Sequence, residues 1–545
     1  MAIARDKFDS PGKVYLCALS LCFISVFCPI LQANELVNVT IHDEVYAFVK
    51  RLVTRNLLEK RLYNTQPLMR REVAEALIEI TEKNRSGRIE LTDVEEKHLE
   101  YYQRLFRDEI ETIKPGFLSP LEKIHTVTIE GEDYEVNFDF KTKQELVHTK
   151  PRPGKGQETS ITSLDFIFQA KLGRHLGILS VLHDRLLLGS ASSYHPYDNE
   201  VSYDLRGESR TFNAMEGYII LDLRWLALLW GIDEAWWGPG RHGALMISDN
   251  SAPKDTFKIS GLYGPLKFTY LTSILREDML KEYQPRYMSA HRLEFVPYRG
   301  ISVGLNEVML FADRYDLRYL NPFIIFYTLQ TENYKDNGLL GIDLDITLPA
   351  SIELYTELMV DDFQTSEGWE AFRVWNSKYG ALVGLYWADP FGWKDTDLSI
   401  EYAFVNQYAY TYEYEAIKYT HEDFIIGHWI GTDADDIWFD VRHWFNDNIR
   451  GYLIYERERH GEGNVRKRHP LEIAGSDIAD PPEHWEFLSG VTETTHSFSL
   501  GLSYISIGSY STSLEYTHSR IRNANNEPGV REKKHQLVAK TEYHF

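Results

Sequence analysis

The segment at residues 233–243, Asp-Glu-Ala-Trp-Trp-Gly-Pro-Gly-Arg-His-Gly, holds the side chains best suited to binding a ligand. Its tryptophans offer flat rings on which the C–H faces of a sugar can stack, and its arginine and histidine can donate hydrogen bonds to hydroxyl or carboxylate groups. The same residues also fit an internal corner of the fold, in which the tryptophans only pack and the glycines permit a tight turn. We predict a carbohydrate-binding site formed by Trp236, Trp237, Arg241, His242 and Asn250.

Three other motifs resemble catalytic or metal sites but lack an essential part. Residues 300–304 match the G-x-S-x-G nucleophile motif, yet they alternate as a strand, whereas that motif requires a strand-to-helix turn. Residues 421–425 begin like a zinc-protease motif, but Ile425 stands where the second histidine belongs. Residues 431–436 gather three carboxylates that could bind calcium, although a solvated turn explains them better. We predict no enzyme, no catalytic residue, no metal and no cofactor.

The first 33 residues have the pattern of a secretory signal peptide. Basic residues precede an apolar run over residues 14–31, and the small residue Ala33 follows at the expected cleavage point. A retained membrane anchor is the alternative, because the run approaches the length of a short spanning helix. Cys17, Cys22 and Cys28 all lie in this segment, so the mature chain would have no disulfide, thiolate metal site or cysteine nucleophile.

The composition excludes one class of partner and favours strands. The chain has 58 Lys and Arg against 81 Asp and Glu, a net charge of −23, and this argues against nucleic acid because phosphate binding needs clustered cations. Its 27 Phe, 12 Trp and 34 Tyr accompany a mean hydropathy of −0.36. Such a composition suits strands with alternating apolar and polar residues.

Residues 34–118 have the spacing of amphipathic helices. Capping-box patterns at residues 40–43 and 92–95, together with Pro67, predict the starts of three helices whose apolar residues recur every three or four positions. The sequence Lys-Pro-Gly at residues 114–116 would end the third helix. We predict a small helical bundle over residues 34–118, on the periplasmic side of a membrane.

Beyond residue 118 the apolar period changes from about 3.6 to about 2 residues. In residues 340–348 every second residue is Leu or Ile, so the apolar side chains share one face of a strand, and residues 164–172 and 497–504 alternate similarly. A soluble β-sandwich also has such strands. The small or charged polar faces, however, favour a water-filled lumen, and aromatic residues at strand ends favour membrane interfaces.

The C-terminal strand favours a transmembrane barrel. Residues 537–545 alternate between apolar and polar side chains and end on Phe545, a terminal aromatic that resembles the C-terminal signal of bacterial outer-membrane barrels. At about 10 residues per strand plus turns, the rest of the chain would form about 16 to 18 strands. We predict an all-β transmembrane antiparallel barrel of about 18 strands over residues 119–545.

An ordered set of motifs resembles the capsule assembly Wzi family of outer-membrane proteins. The resemblance covers most of residues 160–545 and is carried by Trp236-Trp237-Gly238-Pro239-Gly240 with residues 244–253, 264–268, 291–297, 336–343, 354–362 and 427–435. It implies an 18-stranded outer-membrane barrel with a helical bundle at its periplasmic end. It also implies that the protein holds capsular or exopolysaccharide in a lectin-like way, without catalysis.

The implied location is the bacterial outer membrane, and the implied partners are extracellular polysaccharide, outer-membrane lipid and the polysaccharide export machinery; we predict a monomer. Without residues 1–33, which carry three basic and two acidic residues, the net charge becomes −24. That charge would repel an anionic glycan unless clusters such as Arg466-Lys467-Arg468 supply a local positive field.

Two other functions remain as alternatives to polysaccharide attachment. An outer-membrane porin or solute channel is one, because a barrel of this size can enclose an aqueous lumen. An exported glycan-modifying enzyme is the other, and its support is limited to the abundance of carboxylates.

Overall fold

A computed structural model of the protein describes residues 36–41, 43–59, 62–118, 127–131, 133–152, 154–189, 201–204, 209–276, 285–330, 336–362, 377–412, 414–422, 424–465, 486–506 and 510–544. The predicted signal peptide, the Arg466-Lys467-Arg468 cluster and the terminal Phe545 lie outside these ranges, and the predicted domain boundary after residue 118 borders residues that are also outside them.

Eighteen antiparallel strands of the described chain close into a barrel, which confirms the predicted fold class. The ring closes where the last strand pairs with the first, from Lys533 opposite Arg152 to His544 opposite Lys141. The strands are β1 (Tyr134–Arg152), β2 (Gln157–Leu172), β3 (Leu176–Gly189), β4 (Ser209–Asp222), β5 (Leu226–Asp233), β6 (Lys254–Tyr263), β7 (Leu266–Leu275), β8 (Arg286–Tyr298), β9 (Ile301–Ala312), β10 (Asn337–Leu348), β11 (Ile352–Asp362), β12 (Lys378–Ala388), β13 (Thr396–Val405), β14 (Ala434–Trp444), β15 (Ile449–His460), β16 (Glu493–Ser506), β17 (Tyr510–Arg522) and β18 (Arg531–His544).

The two ends of the barrel differ in the lengths of their connections. One end carries short turns such as residues 173–175, 223–225 and 264–265, and we call it the short-turn end. The other carries long connections, among them residues 234–253 and 406–433, and we call it the long-loop end. The barrel wall both begins and finishes at the short-turn end, as an even number of antiparallel strands requires.

The wall alternates between apolar side chains outside and polar side chains inside, because successive residues of a strand point to opposite faces. On β10, Leu340 and Ile342 are 40% and 46% exposed on the outer surface, whereas Asp343 and Asp345 are 2% exposed on the inner side. The predicted alternation over residues 340–348 is therefore confirmed, and it gives the barrel an apolar outer face that suits lipid.

Four helices form within the described part of residues 36–118, where the sequence predicted three. The predicted third helix is divided at Phe106, whose φ of −109° and ψ of 24° interrupt the helical backbone. Its predicted capping box is confirmed, because Thr92 Oγ1 accepts a hydrogen bond from Glu95 N and the Glu95 carboxylate accepts one from Thr92 N. The helices are α1 (Val45–Thr54), α2 (Arg70–Arg85), α3 (Asp93–Leu105) and α4 (Arg107–Ile113).

The other two predicted helix starts were wrong by a few residues. Helix α1 begins at Val45 instead of at residues 40–43. Helix α2 begins at Arg70 instead of at the preceding proline, because residues 65–66 pair as a short strand with residues 236–237. That pairing joins the bundle to a segment inside the barrel. Among the described helices, none is both long and apolar enough to cross a bilayer.

The helical bundle packs against the short-turn end of the barrel. Its own centre is apolar, with Leu52, Leu77 and Phe106 buried. Charged side chains at its surface pair with residues at or beside the short turns, and the pairs are Arg51 with Asp389 and Asp397, Arg71 with Asp222, Lys267 with Glu72, and Arg450 with Glu44. These pairs hold the bundle over this end of the lumen.

Short elements complete the described structure. The strand Val127–Glu130 pairs with β1, Val201–Asp204 pairs with β4, and Thr420–His421 pairs with Phe424–Ile425. Helix α5 (Tyr327–Gln330) lies in the connection between β9 and β10. Single 3₁₀ turns occur at Leu317–Leu320, Pro390–Gly392, Glu415–Ile417 and Ala524–Asn526.

Candidate functional site

The segment that carries the predicted site folds into the barrel lumen. It belongs to residues 234–253, which leave β5 at the long-loop end and return to the wall as β6. Within this connection Trp237 N donates a hydrogen bond to Ile247 O at 2.9 Å, and Gly238 N donates one to Asn64 O at 2.9 Å. Because Asn64 lies between α1 and α2, the connection reaches through the lumen to the bundle.

Two glutamates from the inner wall hold the tight turn of this segment. Glu357 on β11 accepts hydrogen bonds from the backbone N–H groups of Gly240 and Leu245, at 3.0 and 2.8 Å. Glu401 on β13 accepts from the N–H groups of the two residues after Gly240, at 2.8 and 3.2 Å. The glycine at 238, with φ of 142°, lets the chain pass Glu357, where a Cβ would lie 2.2 Å from a carboxylate oxygen. The wall therefore fixes the conformation of the segment and pairs its buried N–H groups.

Trp236, Arg241 and His242 line a cavity of about 890 Å³ between the bundle and the barrel wall. Aromatic rings from the wall, including Trp438 and Trp444, line it as well. Eight Lys and Arg and nine Asp and Glu surround it, so the negative charge of the whole chain is locally almost balanced.

Trp237 and Asn250 do not reach this cavity. Trp237 is 1% exposed and packs in the apolar core of the lumen beside Leu245. The Asn250 side chain donates a hydrogen bond to Ile425 O at 2.8 Å and so ties two connections together. Trp236 is half-buried, and its Nε1 donates to the backbone oxygen two residues on, at 3.2 Å. The structure thus brings three of the five predicted residues to one surface and places the other two in the surrounding packing.

His242 is held in one orientation at this cavity. Its ring stacks on Trp438, with centroids 4.8 Å apart and planes at 3°, and its Nε2 lies 2.8 Å from Glu456 Oε1. Trp429 Nε1 donates to the backbone oxygen of His242 at 2.9 Å. Burial acts to lower the pKa of His242, but the hydrogen bond to Glu456 and the nearby carboxylates more than offset it and raise the pKa. Burial lowers the pKa of the adjacent His428 to about 3, so that ring is neutral at pH 7.

Arg241 provides a fixed positive charge. Its Nη2 lies 2.6 Å from Glu353 Oε2, and its guanidinium carbon lies 3.6 Å from the centroid of the Tyr386 ring. Burial disfavours the charged form, yet the pairing with Glu353 raises the pKa of Arg241 further above its ordinary value. The guanidinium therefore remains charged and is held between a carboxylate and an aromatic face.

The family model for the capsule assembly protein Wzi matches residues 181–536. The chain belongs to this family. It is an outer-membrane β-barrel, in agreement with the apolar outer face of its wall. Comparison with curated proteins finds no match.

Solved structures of other barrels are similar to this Wzi-family chain. The structure of Wzi from Escherichia coli, described as a carbohydrate-binding β-barrel involved in group 1 capsule assembly, is 16% identical, with a TM-score of 0.58 over 94% of this chain and 99% of its own. At that identity the similarity supports the fold alone. Pseudomonas aeruginosa OpdK with vanillate and OpdQ, at 8% and 7% identity, cover 75% of this chain and 99% and 98% of their own, with TM-scores of 0.43 and 0.42. Scores this low support no inference about this chain.

Several residues that line the cavity of this Wzi-family barrel were not identified from the sequence. They lie on the inner faces of wall strands, and they include Lys141, Trp438, Arg442, Trp444, Arg450 and Lys540. The two-residue alternation of each strand indicates which side chains point inward. It does not indicate which strands adjoin the bundle, because that depends on how the lumen is filled.

The carboxylates of residues 431–436 were wrongly interpreted as a solvated turn. Asp433, Asp435 and Asp436 are 1%, 0% and 2% exposed. Asp433 accepts hydrogen bonds from Ser489, Asp435 pairs with Arg459, and Asp436 points toward His242, so the three have different surroundings. The interpretation of residues 300–304 as a strand is confirmed, since residues 301–312 form β9.

Proposed function

We propose that this Wzi-family barrel binds capsular or other extracellular polysaccharide and helps to attach or assemble it at the cell surface, by binding alone and without catalysis. The observation that carries the proposal is the cavity where Trp236 and the stacked pair of His242 and Trp438 lie beside charged side chains of both signs. Sugars bind proteins through aromatic stacking together with hydrogen bonds from such groups. The description of E. coli Wzi as a carbohydrate-binding barrel supports the proposal.

The lengths of the connections support one orientation of the barrel. Outer-membrane barrels have short periplasmic turns and longer extracellular loops. We therefore assign the short-turn end, and with it the bundle of residues 34–118, to the periplasmic side. The long-loop end would face the exterior, where the polymer lies. In this proposal the protein acts as a monomer in outer-membrane lipid and works beside the polysaccharide export machinery.

The lumen offers a polar surface along one side of the barrel. Inward side chains of β16 to β18, such as Ser497, Ser499, Thr517 and Gln536, are only half-buried. Elsewhere on the wall, Glu357 on β11 is buried against the connection that fills the lumen. A polymer entering from the long-loop end would therefore follow the polar side toward the cavity.

Deletion of the gene from a capsule-producing strain tests this function. We expect the deletion strain to release polysaccharide that the parent strain keeps on its cells, because the lumen site would no longer hold it. The measurement compares cell-bound with shed polysaccharide, and a plasmid copy of the wild-type protein should restore retention. Equal retention by parent and deletion strains, at equal polysaccharide production, would contradict attachment as the function.

A further inference from the structure

A cluster of three metal-ligating side chains lies at the edge of the cavity. His242, Asp436 and Glu456 each present one ligand atom, and these atoms lie within 4.8 Å of one another. The histidine comes from the lumen segment, and the carboxylates come from the neighbouring wall strands β14 and β15. We propose that these three side chains form a binding site for a divalent transition-metal ion of the Zn²⁺ type.

The burial of the Asp436 carboxylate supports a metal site independently of the clustering. It is 2% exposed, and its Oδ1 is buried without a hydrogen-bond partner. Within the described chain, no Lys or Arg forms an ion pair with this carboxylate. A buried carboxylate oxygen without a partner is unfavourable, so such groups are normally paired or bound to a metal. A cation between Asp436, Glu456 and His242 would supply the missing partner.

The other two ligand atoms are held close together, and a metal ion would replace the proton that they share. His242 Nε2 lies 2.8 Å from Glu456 Oε1, and the imidazole is fixed by its stacking on Trp438. Trp438 pairs directly with Glu456 across β14 and β15, and Asp436 is on the same face of β14, two residues before Trp438. Rings and carboxylates that are fixed by their surroundings bind a metal with a smaller loss of side-chain entropy.

The types of ligand atom indicate the class of metal. Calcium and magnesium take oxygen ligands, whereas imidazole nitrogen suits zinc and related ions. Three protein ligands leave a coordination position open, as in sites where zinc also binds water or a substrate. At the cavity edge this position could take a hydroxyl or carboxylate oxygen of a glycan. That role rests on the proposed function, but binding of the ion itself does not.

Titration of the purified, untagged full-length protein in detergent with Zn²⁺ alone tests the site. We expect about one tight equivalent of zinc per barrel by isothermal calorimetry, and we expect Asp436→Asn and Glu456→Gln each to weaken it at least about tenfold. Asp440→Asn is the matched control, because Asp440 also points inward from β14 but lies about 13 Å further along the strand, beyond reach of the ion.

Two results would overturn the site. One is the lack of zinc binding by the wild-type protein, and the other is equal zinc affinity in wild type and both ligand variants. Folding of each variant is checked by its heat-dependent mobility shift in gels. Because the titration contains no polysaccharide, a lack of zinc binding does not bear on the proposed function. Equal retention by the parent and deletion strains would contradict the proposed function, but it would not bear on zinc binding.

Discussion

Replacing Arg292 with leucine is expected to lower the free energy of unfolding by about 3–5 kcal/mol, because it leaves a buried carboxylate without its counter-ion. Arg292 on β8 is fully buried in the lumen. Its Nη1 and Nη2 bond to the two oxygens of Asp343 at 2.5 and 2.9 Å, and its Nε donates to Thr65 Oγ1 at 2.7 Å. The side chain therefore links the wall to the short strand between α1 and α2. Urea unfolding in lipid vesicles would measure the loss.

Strand β9 lies between Arg292 and Asp343, and the ion pair packs tightly against it. Gly304 on β9 separates Arg292 from Asp343, and a Cβ there would lie 2.5 Å from Arg292 Nη2 and 2.3 Å from an Asp343 oxygen. Glycine is needed at this position because the ion pair passes directly over the backbone. The pair is also bonded to Asn306, whose side-chain oxygen accepts from Arg292 Nη1 at 2.7 Å.

Two further variants distinguish the loss of the ion pair from a general effect of mutation on stability. The double variant Arg292→Leu with Asp343→Leu removes both charges and should be more stable than Arg292→Leu alone, since no unpaired charge is left. Arg299→Leu, at an exposed turn seven positions along the chain, should leave stability unchanged. An Arg292→Leu barrel as stable as the wild type would show that the lumen link contributes nothing.

Arg51→Ala is expected to loosen the bundle from the short-turn end and to open the lumen to ions. Arg51 on α1 is buried, and its guanidinium lies 2.9 Å from Glu95, 2.6 Å from Asp389 and 2.7 Å from Asp397. Its removal would leave the two wall carboxylates with fewer partners, at a cost of about 1–3 kcal/mol, because Arg55 still pairs with Asp389. Conductance in a planar bilayer should be small for the wild type and larger, with more frequent openings, for the variant.

Protease treatment of the same proteins provides a second measurement of the bundle. The bundle of Arg51→Ala should be cut faster than that of the wild type, whereas Lys97→Ala should behave as the wild type. Lys97 is the matched control because its exposed pair with Glu100 joins two residues of the same helix, α3, and so holds nothing to the wall. A large, constant conductance of the wild-type protein would favour the porin alternative and contradict the closed short-turn end.

The barrel itself could be predicted from the sequence because its physical cause is local. Side chains alternate about every two residues along a strand, so one face of each strand meets lipid and the other meets the lumen. This pattern located the strand at residues 340–348 and its inward Asp343 and Asp345. The resemblance to the family, rather than the alternation, gave the strand number of eighteen.

Helix boundaries were less predictable because tertiary contacts decide them. The pairing of residues 65–66 with residues 236–237, and the bridge between Asn38 and Met69, hold the chain extended on either side of Pro67 and delay the start of α2. Nothing close in sequence signals a partner 170 residues away. The break at Phe106 likewise places its ring in the buried centre of the bundle, at the expense of a continuous helix.

The candidate site was predicted only in part for the same reason. The motif around Trp236 marked the right segment, but the sequence could not show that Trp237 faces the apolar core while Trp236 faces the cavity. Glu456 lies 214 residues from His242, so no spacing pattern could have grouped them. The folded lumen brings together side chains from a connection and from several wall strands.

Binding of polysaccharide to the purified barrel tests the central claim most directly. The polysaccharide would be taken from the producing strain and labelled, and its affinity would be measured for wild type, Trp236→Ala and Trp230→Ala. Trp230 is the matched control because it lies six residues earlier on β5 and is 69% exposed on the outside of the barrel.

We predict that Trp236→Ala weakens binding about fivefold, from the loss of about 1 kcal/mol of stacking, and that Trp230→Ala binds as the wild type does. Equal affinity of all three proteins, or no binding by the wild type, would contradict a sugar-binding surface at the lumen cavity.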